Sequence, residues 1–400
     1  MEGGPIRNGA VLIGEEGRIL AVGPDREVPE PTGGAADHFA DCVILPGLVN
    51  THTHLELTGL AGAIDEPDFA DWIRRIIALK ATFTYDHFLS AARQGIRDCL
   101  AAGVTTVADS GDSGAVIEAL HEAGASGIAY QEIFGPHPDQ WRERLEGLRR
   151  RVEDRRRFTS ARVRIGVSPH APYTVSGRLY GAVAQWARAE QLPMATHLAE
   201  SVPEVELFNA GTGSFGAMWQ RRGIALPDGP ATPVAWLERH GVLGPDLLCA
   251  HVVHAGAEDV SRLARSGTPV AHCPRSNAAH RHGTAPLGAF LDAGIEVGCG
   301  TDSVVSVGTL DLLAEARAAR TLAHLGAAAA LALCTIGAAR ALGMDREVGS
   351  LRQGKWGDAM VMETRATSAA AVLESILASP HEHVVATYLA GRPVHRRSGS

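Results

Sequence analysis

The sequence predicts an α/β protein: a (β/α)8 TIM barrel with a small β-sandwich formed by the N- and C-terminal segments. Three observations carry that expectation. Eight short apolar runs alternate with amphipathic stretches from about residue 43 onward. The runs are almost continuously apolar, as strands buried on both faces must be. Both ends of the chain have a different, β-and-turn character.

The eight runs span 43–54, 105–111, 127–135, 163–172, 193–200, 247–254, 268–277 and 296–303. Between them, residues 87–102 repeat apolar side chains at a near-helical period and stop at Gly103, with Gly95 interrupting the pattern. Residues 179–191 and 258–266 behave alike, the latter ending at Gly267. A doubly wound open sheet is the alternative that periodicity leaves open. At the ends, "AVLIGEEGRILAVG" holds two apolar runs around a Glu15-Glu16-Gly17 turn, and "GSLRQGKWGDAMVM" with "VVATYLAGRPV" is built the same way. The expected division is 1–45 and 346–400 as the two parts of the sandwich, with the barrel over 46–345.

Composition narrows the function. The chain has 400 residues, 45% hydrophobic and 20% charged, with a formal net charge of -8. Nothing in it resembles a basic footprint for nucleic acid or an anionic membrane. The six cysteines are scattered without a Cys-x-x-Cys pair, which fits a reducing compartment. No leader-like segment opens the chain, and the Ala-rich stretch 325–339 is too short to span a bilayer. A cytoplasmic protein is expected, with a homodimer as the default assembly.

The chemistry lies at the ends of the runs, where a barrel carries its active site. His52 and His54 stand two apart on a strand, so both imidazoles face the same side and can reach one ion. His197 ends the apolar "PMATHLAE", and Asp302 follows the Gly-rich "VGCGTDS", where an unpaired buried carboxylate would be costly. Three imidazoles and one carboxylate leave room for water on a divalent ion, zinc first and iron as the alternative. Glu200 lies just past its strand end, so it can stand beside the metal. His251 has a stronger claim than His254, and His170 reads either as a substrate contact or as a satisfied structural histidine. Glu56, the 69–72 segment with Trp72, and the 274–284 loop are expected to line the mouth. His272 reads as structural, and His280 and His282 either line the mouth or are solvated loop residues.

These motifs resemble the amidohydrolase superfamily: "LPGLVNTHTHLE", "THLAE" and "GTDS" look like its metal-binding segments. Together with "SPHAPYTVS", "AHVVH" and "CPRSN", they resemble the branch of aromatic-ring deaminases and triazine chlorohydrolases, and within it the aminofutalosine deaminases of menaquinone biosynthesis. The resemblance implies that His52, His54, His197 and Asp302 bind the metal, that Glu200 and His251 act on substrate with Asp302 taking the proton of water, and that His170 lines the pocket. The fourth run lacks a lysine, so a single metal is implied rather than a carbamate-bridged pair. Two departures stand out. The chain opens without the first strand expected of relatives, and Gly357 replaces the usual alanine of the tail motif.

The leading expectation is hydrolytic deamination of an amino-substituted purine nucleoside or similar heteroaromatic ring, with 6-amino-6-deoxyfutalosine as the named candidate. Ring dechlorination, other C–N hydrolysis such as guanine or cytosine deamination, and cyclic-amide opening share the same ligand set. A non-catalytic binding or assembly protein on this fold is the reading from another class. A carbohydrate-active barrel lacks paired carboxylates, since Asp109 and Glu132 stand alone.

Overall fold

The computed structural model describes residues 4–397 except 32, 35 and 67; the outermost residues of the expected terminal segments, 1–3 and 398–400, lie outside the described residues. Fourteen strands are named in chain order. They are β1 (Gly9–Ile13), β2 (Ile19–Pro24), β3 (Cys42–Pro46), β4 (Leu48–Thr53), β5 (Val104–Gly111), β6 (Ser126–Ile133) and β7 (Val163–Pro169). β8 (Met194–Leu198), β9 (Leu247–His251), β10 (Val270–His272), β11 (Val297–Cys299), β12 (Ala359–Glu363), β13 (Val384–Leu389) and β14 (Arg392–Arg396) follow.

Strands β4 to β11 form one eight-stranded sheet in sequential order, every neighbouring pair parallel. This is the barrel, and the open-sheet alternative falls. The ends meet in an unusual way. Near the top, Asp302 N–H donates to His52 O at 2.9 Å. Lower down the first and last strands do not pair directly. Cys299 N–H donates to Leu333 O at 2.7 Å and Val49 N–H to Cys334 O at 2.9 Å, so the 333–334 segment fills the seam. The helix Ile336–Ala341 follows at once. Its Ala338, Ala339 and Ala341 pack with Val49, Ala108, Ile128, Ala195, Leu248 and Ala271 from the inner face of the barrel. This Ala-rich helix is therefore a plug, narrow enough to enter because its side chains are small.

The run 43–54 is two strands, not one. It breaks at Gly47, whose N–H donates to Asp358 O, while Leu48 N–H donates to Gly103 O in the barrel. β3 belongs to an antiparallel sheet ordered β14-β13-β12-β3, which joins the two ends of the chain. β1 and β2 form a separate hairpin, tied to the tail by Ile19 N–H to Lys355 O and Gly357 N–H to Gly17 O, both 2.8 Å. Gly357 itself is explained here: a Cβ would fall 2.7 Å from Ile13 Cδ1. The sheet is clamped to the barrel by Arg162, whose guanidinium reaches both oxygens of buried Asp358 at 2.8 Å.

The helices follow the sequence closely: Tyr85–Ala101, Gly177–Ala189 and Ala257–Ser266. Gly95 lies within the first because the turn Leu55–Leu60, just after the histidine pair, presses on it. A Cβ there would fall 2.5 Å from Thr58 Oγ1. Among the described residues no helix is long and apolar enough to cross a membrane.

Candidate metal centre and active site

Most barrel strands end earlier than their apolar runs, and the chemistry begins where they stop. β7 ends at Pro169, β8 at Leu198, β9 at His251, β10 at His272 and β11 at Cys299. "CPRSN" is not strand at all; its Pro274 opens the short helix Pro274–Ala279. Three of these ends turn through left-handed backbone: Ala199 (φ 48), His251 (φ 71) with Val252 (φ 46), and Asp302 (φ 60). Non-glycine residues are seldom found there, a β-branched valine least of all. Such strain persists where surrounding packing over-determines it, and it re-aims the side chains inward.

The structure brings together His52, His54, His197, His251, Asp302 and Glu200. His54 Nδ1 donates to Ser110 O at 2.7 Å, and His197 Nδ1 to His170 O at 3.0 Å. That assignment leaves both Nε2 lone pairs facing each other, 3.1 Å apart. Two such lone pairs repel unless a cation lies between them. His52 Nε2 is buried without a partner. Ligand atoms of His52, His54 and His197 all lie within 4.8 Å of one another. Asp302 Oδ1 is 3.6 Å from His54 Nε2 and 3.9 Å from His52 Nε2. Burial pushes the His52 imidazole well below its ordinary pKa and His197 to about 4, so both rings are neutral and hold their lone pairs for a metal. The donor set fits a divalent ion.

A second grouping, Glu132 with His170 and His197, has ligand atoms equally close together. It does not make an independent site. His197 has one nitrogen on the His170 carbonyl and the other in the first group.

Neighbouring residues hold this centre in place, and sequence reading missed them. Asp109 Oδ2 accepts from Thr53 Oγ1 at 2.9 Å and from Leu55 N–H at 2.6 Å, bracketing His54. Ser276 Oγ donates to Asp302 Oδ2 at 2.5 Å, and Ser303 N–H to Oδ1 at 2.6 Å. His251 Nδ1 donates to Asn277 Oδ1 at 2.9 Å, which turns its buried, unpartnered Nε2 inward. Glu204 carries Glu200: its oxygens accept from Ala199 N–H at 2.9 Å and Glu200 N–H at 3.0 Å. Burial pushes Glu204 up to about 8 despite those bonds. The sequence signal was a glutamate near the start of the helix Val202–Ala210, a position that caps orphan N–H groups.

Glu200 is itself buried, and burial opposes its ionisation. Facing His251 and His282 nevertheless hold its carboxyl well below the usual range. His170 lies beside the centre, its ring 4.8 Å from that of His197, with Nδ1 on Thr174 Oγ1 at 2.8 Å. Half-exposed Phe134 packs on it at 4.7 Å. Trp72 and Phe69 sit across the mouth, with Trp72 4.5 Å from His280 and Phe69 4.4 Å from His282. Glu56 is a different matter. It is buried, with Lys80 Nζ 2.8 Å from Oε1 and the Ser113 hydroxyl on Oε2, so both oxygens are engaged by the protein. The structure does not bring it to the centre. His272 is fully buried with neither ring nitrogen bonded.

Residues 43–394 match the amidohydrolase family. Aminodeoxyfutalosine deaminase of Deinococcus radiodurans is 34% identical over 335 residues, 80% of this chain and 78% of that protein. A 5-methylthioadenosine/S-adenosylhomocysteine deaminase of Moorella thermoacetica is 32% identical, covering 90% and 83%. Among solved structures, an adenosine deaminase of Xanthomonas campestris with bound zinc superposes with a TM-score of 0.81 at 25% identity, over 97% of this chain and 88% of that one. With its barrel, its histidine pair at the end of the first barrel strand and its match along nearly the whole length, this chain belongs to the amidohydrolase family.

Proposed function

We propose that the protein is a mononuclear metal-dependent aminohydrolase of purine nucleosides, with 6-amino-6-deoxyfutalosine as its substrate, working in menaquinone biosynthesis in the cytoplasm. The observation that carries the reading is the facing Nε2 pair of His54 and His197, with His52 and Asp302 closing around the same point. His52, His54, His197 and Asp302 would hold the ion, zinc by the likeness to the zinc-bound adenosine deaminase. A divalent cation held there supplies the charge that lowers the pKa of water toward about 7.

The remaining steps belong to the chain's own groups. Asp302 accepts one proton of the attacking water and passes it to the departing amine. Glu200, ionised at rest, takes up the other and delivers it to a ring nitrogen, which makes the adjacent carbon electrophilic and accounts for both protons. His251, with Nδ1 fixed on Asn277, keeps Nε2 toward the reacting carbon and stabilises charge developing there. The aromatic groups at the mouth, Phe69 and Trp72 on one side and Phe134 with His170 on the other, suit a flat heterocycle.

A second reading has support of its own. The likeness to the Moorella deaminase covers more of this chain, which favours 5′-methylthioadenosine or S-adenosylhomocysteine as substrate. The test is ammonia release by metal-loaded protein from 6-amino-6-deoxyfutalosine, these two nucleosides, adenosine, guanine and melamine. A kcat/KM highest for 6-amino-6-deoxyfutalosine is expected. Preference for either alternative nucleoside transfers the assignment, and turnover of melamine alone overturns the nucleoside class.

A further inference from the structure

His282 takes no part in the steps just described, yet it is 5% exposed and its Nε2 lies 3.3 Å from Glu200 Oε1. That is closer than His251 Nε2, at 3.8 Å from the same oxygen. His282 Nε2 is buried and makes no aligned hydrogen bond among the described residues, which leaves it available to the Glu200 oxygen. Its place is set from three sides. Its N–H donates to Asn277 O at 2.9 Å, the same residue that orients His251. Left-handed Arg281 (φ 56) turns the chain so that the rings of His280 and His282 stack 5.4 Å apart. The edge of Phe69, on the helix Phe69–Lys80, meets the His282 ring at 4.4 Å. A buried imidazole held this firmly against a buried carboxylate is not a solvated loop residue.

We propose that His282 is the positioning residue of Glu200. Its Nε2–H donates to Oε1, which leaves Oε2 as the oxygen that carries the proton toward the substrate ring. Phe69 keeps the imidazole in that attitude, so the aromatic mouth and the acid share one support. The inference rests on the aminohydrolase reading for its catalytic meaning, but the contact itself does not.

Two measurements on metal-loaded protein test it. Imidazole ¹⁵N NMR reads the Nε2 resonance of His282, assigned by its loss in His282→Gln, in the native chain and in Glu200→Gln. The ring signals of His251, His254 and His280, which face this ring, are followed in the same spectra. Removing the carboxylate is expected to move the His282 Nε2 resonance; an unmoved resonance overturns the proposal. In kinetics, His282→Phe should lower kcat by about 10- to 100-fold and shift a limb of the pH profile, at full metal content and nearly constant KM. His282→Gln, which keeps a donor, should recover most of that loss. Unchanged kcat and pH profile in His282→Phe would overturn the positioning role. An intact coupling in the spectra with no deamination of any aminopurine removes the function reading and leaves the contact standing.

Discussion

The two ends of the barrel obey different rules. At the top, strand ends turn through left-handed backbone and histidines are buried with unpartnered nitrogens. At the bottom, small apolar side chains from the helix Ile336–Ala341 fill the interior, and in the buried ion pair of Arg162 with Asp358 the carboxylate takes further bonds from Ser126 and Ala390. At the top the unpartnered ring nitrogens converge on one point, whereas at the bottom the orphaned atoms, such as Arg162 Nη1, are scattered. Local strain and orphaned polar atoms cost free energy, and a well-packed opposite end is what lets a marginally stable chain carry them.

Substitutions at each end should therefore separate activity from stability. Asp302→Asn is expected to have the largest effect, abolishing turnover and most metal retention together while the protein stays folded. Metal content by mass spectrometry and ammonia release check it; unchanged values for both would remove Asp302 from the centre. Glu200→Gln should lose about 10²- to 10⁴-fold in kcat while keeping its metal, because it cannot supply a proton. At the other end the pattern reverses. Asp358→Ala strands the Arg162 guanidinium and should cost about 3–5 kcal/mol in denaturant unfolding, with kcat per folded molecule unchanged. Ala338→Leu overfills the plug and should cost about 1–3 kcal/mol, again at constant kcat.

The smallest expected effect concerns pH. Burial lowers His272 to about 4 from the ordinary 6.5. The unfolded chain takes up a proton near 6.5 while the folded chain refuses it, so this contribution to stability is complete above 6.5 and is lost as pH falls toward 4. At pH 5.5 the loss is about 1 kcal/mol. His272→Gln should flatten that part of a melting-temperature profile; an identical acid slope would show that other groups set it.

Much of this was legible beforehand. The apolar runs announced eight buried strands, and His-x-His announced a shared ligand direction, because both signals are local and periodic. What was not legible was where each strand stopped. His251 and Asp302 lie on backbone that has left the strand conformation, and a continuing apolar or glycine-rich sequence hides that turn. Glu56 was misplaced for a related reason. Its neighbourhood to His54 in sequence suggested the mouth, but Lys80 and Ser113, remote in sequence, claim both of its oxygens. Glu204 and Asn277 were overlooked because their work is done on backbone N–H groups and a ring nitrogen, partners that no motif displays.

The filled seam has a consequence for how the chain is made. As it leaves the ribosome, the first barrel strand appears near the beginning, but Val49 meets its partner only when Cys334 arrives, and Pro46 waits for Ala359. Nearly the whole polypeptide must be synthesised before the ring can lock. Until then β4 presents an open edge, so the nascent protein depends on shielding of that edge for as long as translation lasts.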